Sequence, residues 1–500
     1  MLERTELRDV LKIGIELTTE KDKNRLLEKM LQKAMEISGC DAGTLYLCRD
    51  GYLEFKIMKT LSQGVSRGER GERIDLPPVE MKEENVCAWA AIHKELINVP
   101  DVYQSDTFDF SGPKRYDGIT GYRTCSMLVV PMEDAEDRVI GVLQLINKLD
   151  DGGNVVRFDD DDAFILRSLG SMAAVSLSNM LYLDEIKLEM RSFVQAFATA
   201  VDKRTPYNGT HTRKVTAYAR LVALQLDRMA AETEGAERFD ADRLEQLELA
   251  AGLHDIGKMI VPLSVMNKST RLDEGLERVL CRLERISLLC ERDMLKGRLS
   301  AAAYEQKREE IASAREVIKR ADGAGYLDDG LLDRVEWVAG LCYVCADGER
   351  VDFLTPDEAA LLRVRKGTLS AQEREIMESH ARMTKEILDQ VHFARKYADT
   401  PLFAAQHHEL LDGSGYPEHL AAEQIPLETR ILTAVDIYDA LTCTDRPYKK
   451  PMPRERALAI LQEMVESGKL DDRVVKALSL ALESLGEQDI EQFLQQPEQL

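Results

Sequence analysis

Apolar residues change their spacing twice along this chain, and the change limits the folds open to it. From Ala42 the run GTLYLCRDGYLEFKIM alternates and reverses at Asp50-Gly51, as a hairpin does. Two further strand-like runs follow, Cys125 to Met132 and Val139 to Lys148. Before them, Arg25 to Ser38 repeats apolar residues at three- and four-residue steps, the pattern of a buried helix face. After them, a helix begins near Asp160 and continues to about Val201, with no glycine beyond Gly170. Helix, strands, strands, helix predicts an α+β domain in which helices flank an antiparallel sheet. Residues 1–19 read as an amphipathic lead-in helix, 20–182 as the α+β domain and 183–201 as a connecting helix. Leu181, Ile186, Phe193 and Phe197 on that helix can form an apolar seam between two copies, or pack on their own domain.

At 500 residues the chain exceeds what one core supports, so it is multidomain. Its formal charge of -23 argues against a broad surface for nucleic acid or anionic membrane. An anionic substrate must then be drawn by local positive charge, which bound metals supply. The 9 cysteines lack framework spacing and suggest reduced thiols in a cytoplasm. Cys342 and Cys345 form the one close pair, and without a second pair they read as ordinary thiols rather than a zinc site. The start, MLERTELRDV, is charged throughout, unlike a signal peptide, and no apolar run is read as approaching the ~20 residues of a membrane span. A cytoplasmic protein is expected.

The chemistry lies in the second half. His254 and Asp255 sit in LHDIGK, His407 and His408 open HHELLDGSGYP, and Asp436 lies in AVDIYDAL; His211, His254, His380 and the His407-His408 pair fall at the starts or cores of separate predicted helices. Leu247, Leu249, Ala250, Leu253 and Ile256 describe a buried helix that carries His254, Asp255 and Lys258, with Lys258 on the face of His254. One histidine alone reads as a surface or satisfied core residue; this set, with adjacent His and Asp, reads as ligands. Imidazole with carboxylate suits iron, manganese, nickel or zinc, and divalent ions of this kind activate water against phosphodiesters.

The order H, HD-x-x-K, H, HH, GYP, D resembles the HD-GYP family of HD phosphohydrolases over roughly residues 188–485. The resemblance implies an all-α helical bundle that hydrolyses cyclic di-GMP to pGpG, with GMP as the product of a second cut. It implies two divalent metals, iron or manganese, held by His211, His254, Asp255, His380, His407, His408 and Asp436. Asp255 and Lys258 would be catalytic, and Gly415, Tyr416, Pro417, Arg446 and Lys449 would contact substrate. A phosphodiesterase for the GMP–AMP ring and a cyclic di-GMP-responsive interaction module are the alternatives. Tyr207 stands where some members carry a glutamate for a third metal, so two are expected; one extra residue before Asp445 shifts Arg446 and Lys449. The largest departure is an insertion at about 270–365, read as a helical hairpin breaking near Gly297 and available to a protein partner, as a lid, or as solvated decoration. Residues 486–500 form a tail.

The phrases GCDAGTLYL, MLVVPM and VIGVLQLINK resemble a GAF domain, implying a small-ligand sensor or dimerisation module and hence a homodimer through this domain and the connecting helix. Some such domains bind cyclic nucleotides through a motif that appears here as Asn147-Lys148, Phe158 and Asp162, with Ala163 where a glutamate would follow. An unknown ligand or none is the expectation, because carboxylates at Asp159 to Asp162 also suit a helix N-terminus.

Overall fold

Strand alternation in the first half becomes a two-faced sheet. A computed structural model describes residues 4–68, 72–204, 210–231, 237–393, 395–443 and 451–495, and divides into two units, Met1–Glu189 and Met190–Leu500. The first unit opens with helices α1 (Arg4–Thr18) and α2 (Lys23–Ser38), then strands β1 (Cys40–Arg49), β2 (Tyr52–Thr60), β3 (Val65–Gly68) and β4 (Val79–Glu80). Helix α3 (Val86–His93), β5 (Ile97–Val99), α4 (Ser111–Thr120), β6 (Met127–Glu133), β7 (Val139–Leu149) and β8 (Val155–Val156) follow. The antiparallel sheet runs β3-β2-β1-β7-β6-β5, with β4 on β2 and β8 on β7.

Successive side chains point to opposite faces. Leu45, Leu47, Leu128, Val130, Leu143 and Leu145 face one core, shared with Leu27, Met30, Leu31 and Ala34 of α2. Their neighbours Tyr46, Met127, Val129 and Val142 face the other, shared with Val86, Cys87, Ala90 and Ala91 of α3. Asp22 caps α2 by accepting from the Arg25 N–H, and Gly39, at φ 61, ends it.

The motif residues of this unit are used internally. Asn147 accepts from the Cys125 N–H at 2.7 Å and donates to the Arg123 carbonyl at 2.8 Å and Tyr122 hydroxyl at 3.0 Å. Lys148 pairs with Asp159 at 2.8 Å and with Asp162, and the Phe158 carbonyl accepts from Asn98.

Helix α5 (Asp160–Asp202) is continuous over 43 residues. Against expectation, it is long and apolar enough to qualify as a membrane span by length and composition. Half of that apolar window is buried, and Leu166, Leu169, Ala173 and Leu177 belong to the first unit's core, which is the behaviour of a core helix. Leu181 also packs on that core, so Leu183 rather than Leu181 joins Ile186, Phe193 and Phe197 among the exposed apolar residues.

The second unit is largely helical. Helices α6 (His211–Ala231) and α7 (Ala241–Leu253) lead to a 3₁₀ turn, Ile256–Met259, and α8 (Leu263–Met266). After the insertion come α13 (Ala371–Leu388), α14 (Thr400–Ala405), α15 (Leu427–Thr442), α16 (Arg454–Glu466) and α17 (Asp472–Gln495). One core joins Val215, Val222, Leu247, Phe403, Ile431, Val435, Leu461 and Leu478.

The insertion contains the expected pair, α9 (Gly275–Leu295) and α10 (Ala301–Gly323), turning at Gly297 with φ 70. It goes further than a hairpin, adding α11 (Asp329–Ala339), β9 (Cys342–Val344) paired with β10 (Arg350–Asp352), and α12 (Pro356–Leu362). Val279, Leu283, Val317, Val335, Tyr343, Phe353 and Leu362 give it a core of its own. Its ends meet at the fully buried Arg271, which donates to the carbonyls of Ala321 at 2.7 Å and Val364 at 2.8 Å. An insertion whose ends adjoin leaves the host bundle's path unbroken. Cys342 and Cys345 belong to no ligand set among the described residues.

Candidate metal centre

The second unit's helices bring together seven side chains distant in sequence. His211 is the first residue of α6, His380 lies on α13 and Asp436 on α15. Two expectations need correction. Helix α7 ends at Leu253, so His254 caps it and Lys258 rides on the 3₁₀ turn instead of the same helical face. His407 and His408 follow α14 in a turn instead of occupying a helix.

Local packing explains the sequence here. A Cβ on Gly257 would sit 2.0 Å from the His380 carbonyl oxygen, so only glycine lets the turn approach α13. Thr384 closes that contact, accepting from the Gly257 N–H at 3.0 Å and donating to the His254 carbonyl at 2.9 Å. A Cβ on Gly415 would lie 2.3 Å from the Leu410 nitrogen, which presses the Gly415-Tyr416-Pro417 loop onto the turn carrying His408. Glu409, buried, accepts from the backbone N–H groups of Glu418 at 2.6 Å and Leu420 at 3.0 Å and anchors the same loop. The Tyr416 ring lies 4.7 Å from that of His408.

Two ligand sets face each other across Asp255. Asp255 Oδ2 lies 3.5 Å from His211 Nε2 and 3.4 Å from His254 Nε2, and Asp436 Oδ1 lies 3.3 Å from His211 Nε2. Asp255 Oδ1 turns the other way, 3.6 Å from His380 Nε2 and 3.8 Å from His407 Nε2. His380, His407 and His408 bring ligand atoms within 4.8 Å of one another, as do His211, His254 and Asp436. His408 Nδ1 lies 3.8 Å from Asp436 Oδ2.

The rings are fixed from behind. Nδ1 of His254, His380 and His407 lies 2.7, 2.6 and 2.7 Å from the carbonyls of Ala251, Met377 and Ala404. A carbonyl only accepts, so each Nδ1 carries the proton and each Nε2 presents a lone pair to the centre. His211 Nδ1 meets Asp439 Oδ2 at 2.7 Å, the carboxylate–histidine arrangement that orients a metal ligand. Sequence reading missed Asp439; its signal is the spacing Asp436-x-x-Asp439, which puts both carboxylates on one helix face.

This donor set fits divalent cations. Asp255 Oδ1, His380 Nε2 and His407 Nε2 are buried without hydrogen-bond partners, and acceptors converging in a buried space repel unless a cation lies between them. Burial, followed by the Lys258 charge, depresses the His380 pKa; burial and His408 depress that of His407 strongly; burial carries His408 down to about 3. These three imidazoles are therefore held neutral, as ligands must be. Burial opposes ionisation of Asp255, but the Lys258 charge, with the imidazoles of His254 and His211 beside it, outweighs burial and keeps the carboxyl well below its usual range. Burial would lower His211 too, yet Asp255, Asp436 and Asp439 hold it well above its ordinary value. Lys258 Nζ contacts Asp255 Oδ2. Tyr207, the turn at Asn208-Gly209, Arg446 and Lys449 lie outside the described residues.

Comparison with known proteins agrees with this layout. Residues 22–177 match the GAF domain family, and residues 353–474 match an HD domain family. The second match takes in His380, His407, His408 and Asp436, while His254 and Asp255 lie on the far side of the insertion. A 3'3'-cGAMP-specific phosphodiesterase 3 of Vibrio cholerae is 27% identical over 61% of this chain and 41% of its own length. The cyclic di-GMP phosphodiesterase response regulator RpfG of Xanthomonas campestris is 34% identical over 35% of this chain and 48% of its own. A cyclic di-GMP phosphodiesterase of Thermotoga maritima is 35% identical over 26% of this chain and 33% of its own. The chain thus spans less than half the length of each of these relatives. The second unit carries an HD domain, and a GAF domain precedes it in the same chain.

Proposed function

We propose that the second unit is a metal-dependent phosphodiesterase opening cyclic di-GMP to pGpG, with GMP as the product of a second cut, under control of the GAF domain. The observation that carries this reading is Asp255, whose two oxygens face two separate histidine sets. His211, His254 and Asp436 would hold one divalent ion and His380, His407 and His408 the other, with Asp255 shared. Iron or manganese suits this mixture of imidazole and carboxylate. Bound ions of this kind supply Lewis-acid activation of water and neutralise charge on the phosphate.

The chain's own residues do the rest. The Nδ1–H bonds of His254, His380 and His407 hold their rings in one orientation, and Asp439 does so for His211. Lys258 puts a positive charge beside Asp255, where it can meet a non-bridging phosphate oxygen as negative charge grows. Tyr416 offers a ring face next to His408, and Gly415 and Pro417 shape the loop that presents it. Arg446 and Lys449 are the proposed guanine or phosphate contacts.

The GMP–AMP ring is the second reading, favoured by the long alignment to the Vibrio cholerae relative bearing that name. A homodimer in the cytoplasm completes the proposal: Leu183, Ile186, Phe193 and Phe197 are each more than half exposed on α5, at steps of three, seven and four residues that keep them on one face, as in a paired helix. The test is anaerobic incubation of metal-loaded protein with cyclic di-GMP and, separately, the GMP–AMP ring, with products separated by chromatography. Linear dinucleotide or GMP, lost in Asp255→Ala, is expected. No turnover of either ring by fully loaded protein overturns the enzyme reading in favour of an interaction module.

A further inference from the structure

Two residues at the C-terminal end of α5 touch two different arms of the metal centre. Asp202, the last residue of the helix, is buried and accepts from Thr212 Oγ1 at 2.8 Å and the Thr212 N–H at 3.4 Å. Thr212 follows His211 in the first turn of α6, so Asp202 fixes the backbone from which His211 projects. Two residues on, Arg204 reaches the other arm. Its Nη1 donates to the Lys258 carbonyl at 2.9 Å and to the Met259 carbonyl, and its Nη2 donates to the Val261 carbonyl at 2.9 Å.

The second contact falls where the backbone is weakest. The segment Ile256–Met259 is a 3₁₀ turn, whose hydrogen bonds are poorer than those of an α-helix. Its closing carbonyls carry the negative end of the turn's dipole, which a cation satisfies. A guanidinium reaches the Lys258 and Met259 carbonyls of the turn and the Val261 carbonyl just beyond it because its donors spread in a rigid plane; an ammonium is a point charge and cannot match that fork. From the same turn the Lys258 side chain folds onto Asp255, the carboxylate between the two ligand sets. Arg204 is partly exposed, forms no ion pair among the described residues and contributes nothing to the bundle core. Its contacts are with the turn.

We infer that Arg204 is a positioning residue of the metal centre, and that with Asp202 it makes the end of α5 the place from which the centre's two arms are set. The inference rests on the phosphodiesterase reading. A shift of α5 at this end would displace the Asp255–Lys258 turn through Arg204 and the His211 arm through Asp202. Displacements near 1 Å can cost a catalyst about 100-fold.

The experiment uses the full chain loaded with manganese and compares wild type with Arg204→Ala and Arg204→Lys. Four quantities are read: kcat, KM, bound metal, and amide hydrogen exchange over residues 256–261 and over α15. The expected result for Arg204→Ala is a kcat lower by about 10–100-fold, with little change in KM and an unchanged metal content. Exchange rises in 256–261 and stays as in wild type across α15, and Arg204→Lys recovers part of both effects. Wild-type kcat and wild-type exchange in Arg204→Ala would overturn the inference. So would a loss accompanied by faster exchange throughout the bundle, since Arg204 would then serve the fold alone. Asp202→Asn is the second variant: it should raise exchange at 210–216 while leaving 256–261 unchanged, and equal change in both segments counts against two separate arms. If wild type cleaves neither ring, the functional reading has failed; exchange and metal content still decide whether Arg204 holds the turn.

Discussion

Asn147 in the GAF domain and His407 in the helical bundle are both buried polar residues, and they are treated in opposite ways. Asn147 has its carbonyl oxygen and its amide nitrogen engaged by neighbours, and the adjacent Lys148 is paired with Asp159 and Asp162. His407 has one nitrogen bonded to a carbonyl three residues back, while the other is left without a partner beside equally orphaned atoms of His380 and Asp255. A motif whose polar atoms are consumed by the fold is a structural device, whatever its resemblance. Polar atoms that are buried, unpartnered and convergent mark a place prepared for something else.

The comparison breaks most visibly at Asp255. Asp255→Ala removes the group common to both ligand sets and should lower turnover by at least about 10³-fold, with loss of bound metal on elemental analysis. Next in size is Asp439→Asn, which removes the negative charge behind the His211 ring; metal affinity or kcat should fall by about 10–100-fold, as read by metal titration and initial rates.

Acidification should separate the halves further. In metal-free protein His380, His407 and His408 have depressed pKa values, so the unfolded chain binds protons that the folded one refuses. Their effect is to lower stability as pH falls below their ordinary value of about 6.5. His211 works the other way, its raised pKa adding stability below that pH, but it is one group against three. Metal-free protein should therefore melt at progressively lower temperature from pH 7 to pH 5, and metal loading should raise the melting temperature more at pH 7 than at pH 5, because the ligands must be deprotonated to bind.

Smaller effects test the packing. Thr384→Val leaves the Gly257 N–H without its acceptor and should cost about 1–3 kcal/mol in denaturant unfolding, together with weaker metal binding. Asn147→Ala, on the other side of the comparison, should cost a similar amount, about 1–3 kcal/mol, and leave kcat unchanged. A fall in kcat per folded molecule in Asn147→Ala would show that the motif does more than hold the sheet together.

Much of this was legible in the sequence because it rests on short-range pattern. The hairpin at Asp50-Gly51, the two-faced strands and the ligand residues in LHDIGK and HHELLDGSGYP all declare themselves by spacing or adjacency. Asp439 did not, since an aspartate three residues along a helix looks like one on a solvated face until its burial against His211 is known. Gly257 and Thr384 were equally silent: their roles arise from the approach of two segments more than a hundred residues apart in sequence. In the insertion, helix periodicity found α9 and α10, but strands as short as Cys342–Val344 and Arg350–Asp352 give too few alternations to register. The apolar pattern continues to Ile256 and so predicts a helix through Lys258, whereas the chain tightens into a 3₁₀ turn at Ile256.

If Asp255 is shared by two metal ions, the two must be magnetically coupled through it. Manganese electron paramagnetic resonance on protein loaded with two equivalents reads that coupling. Two ions per chain with an exchange-coupled spectrum are expected in wild type, replaced by the signals of isolated ions in Asp255→Asn. A single ion per chain in wild type, or two ions with no coupling between them, would contradict that sharing.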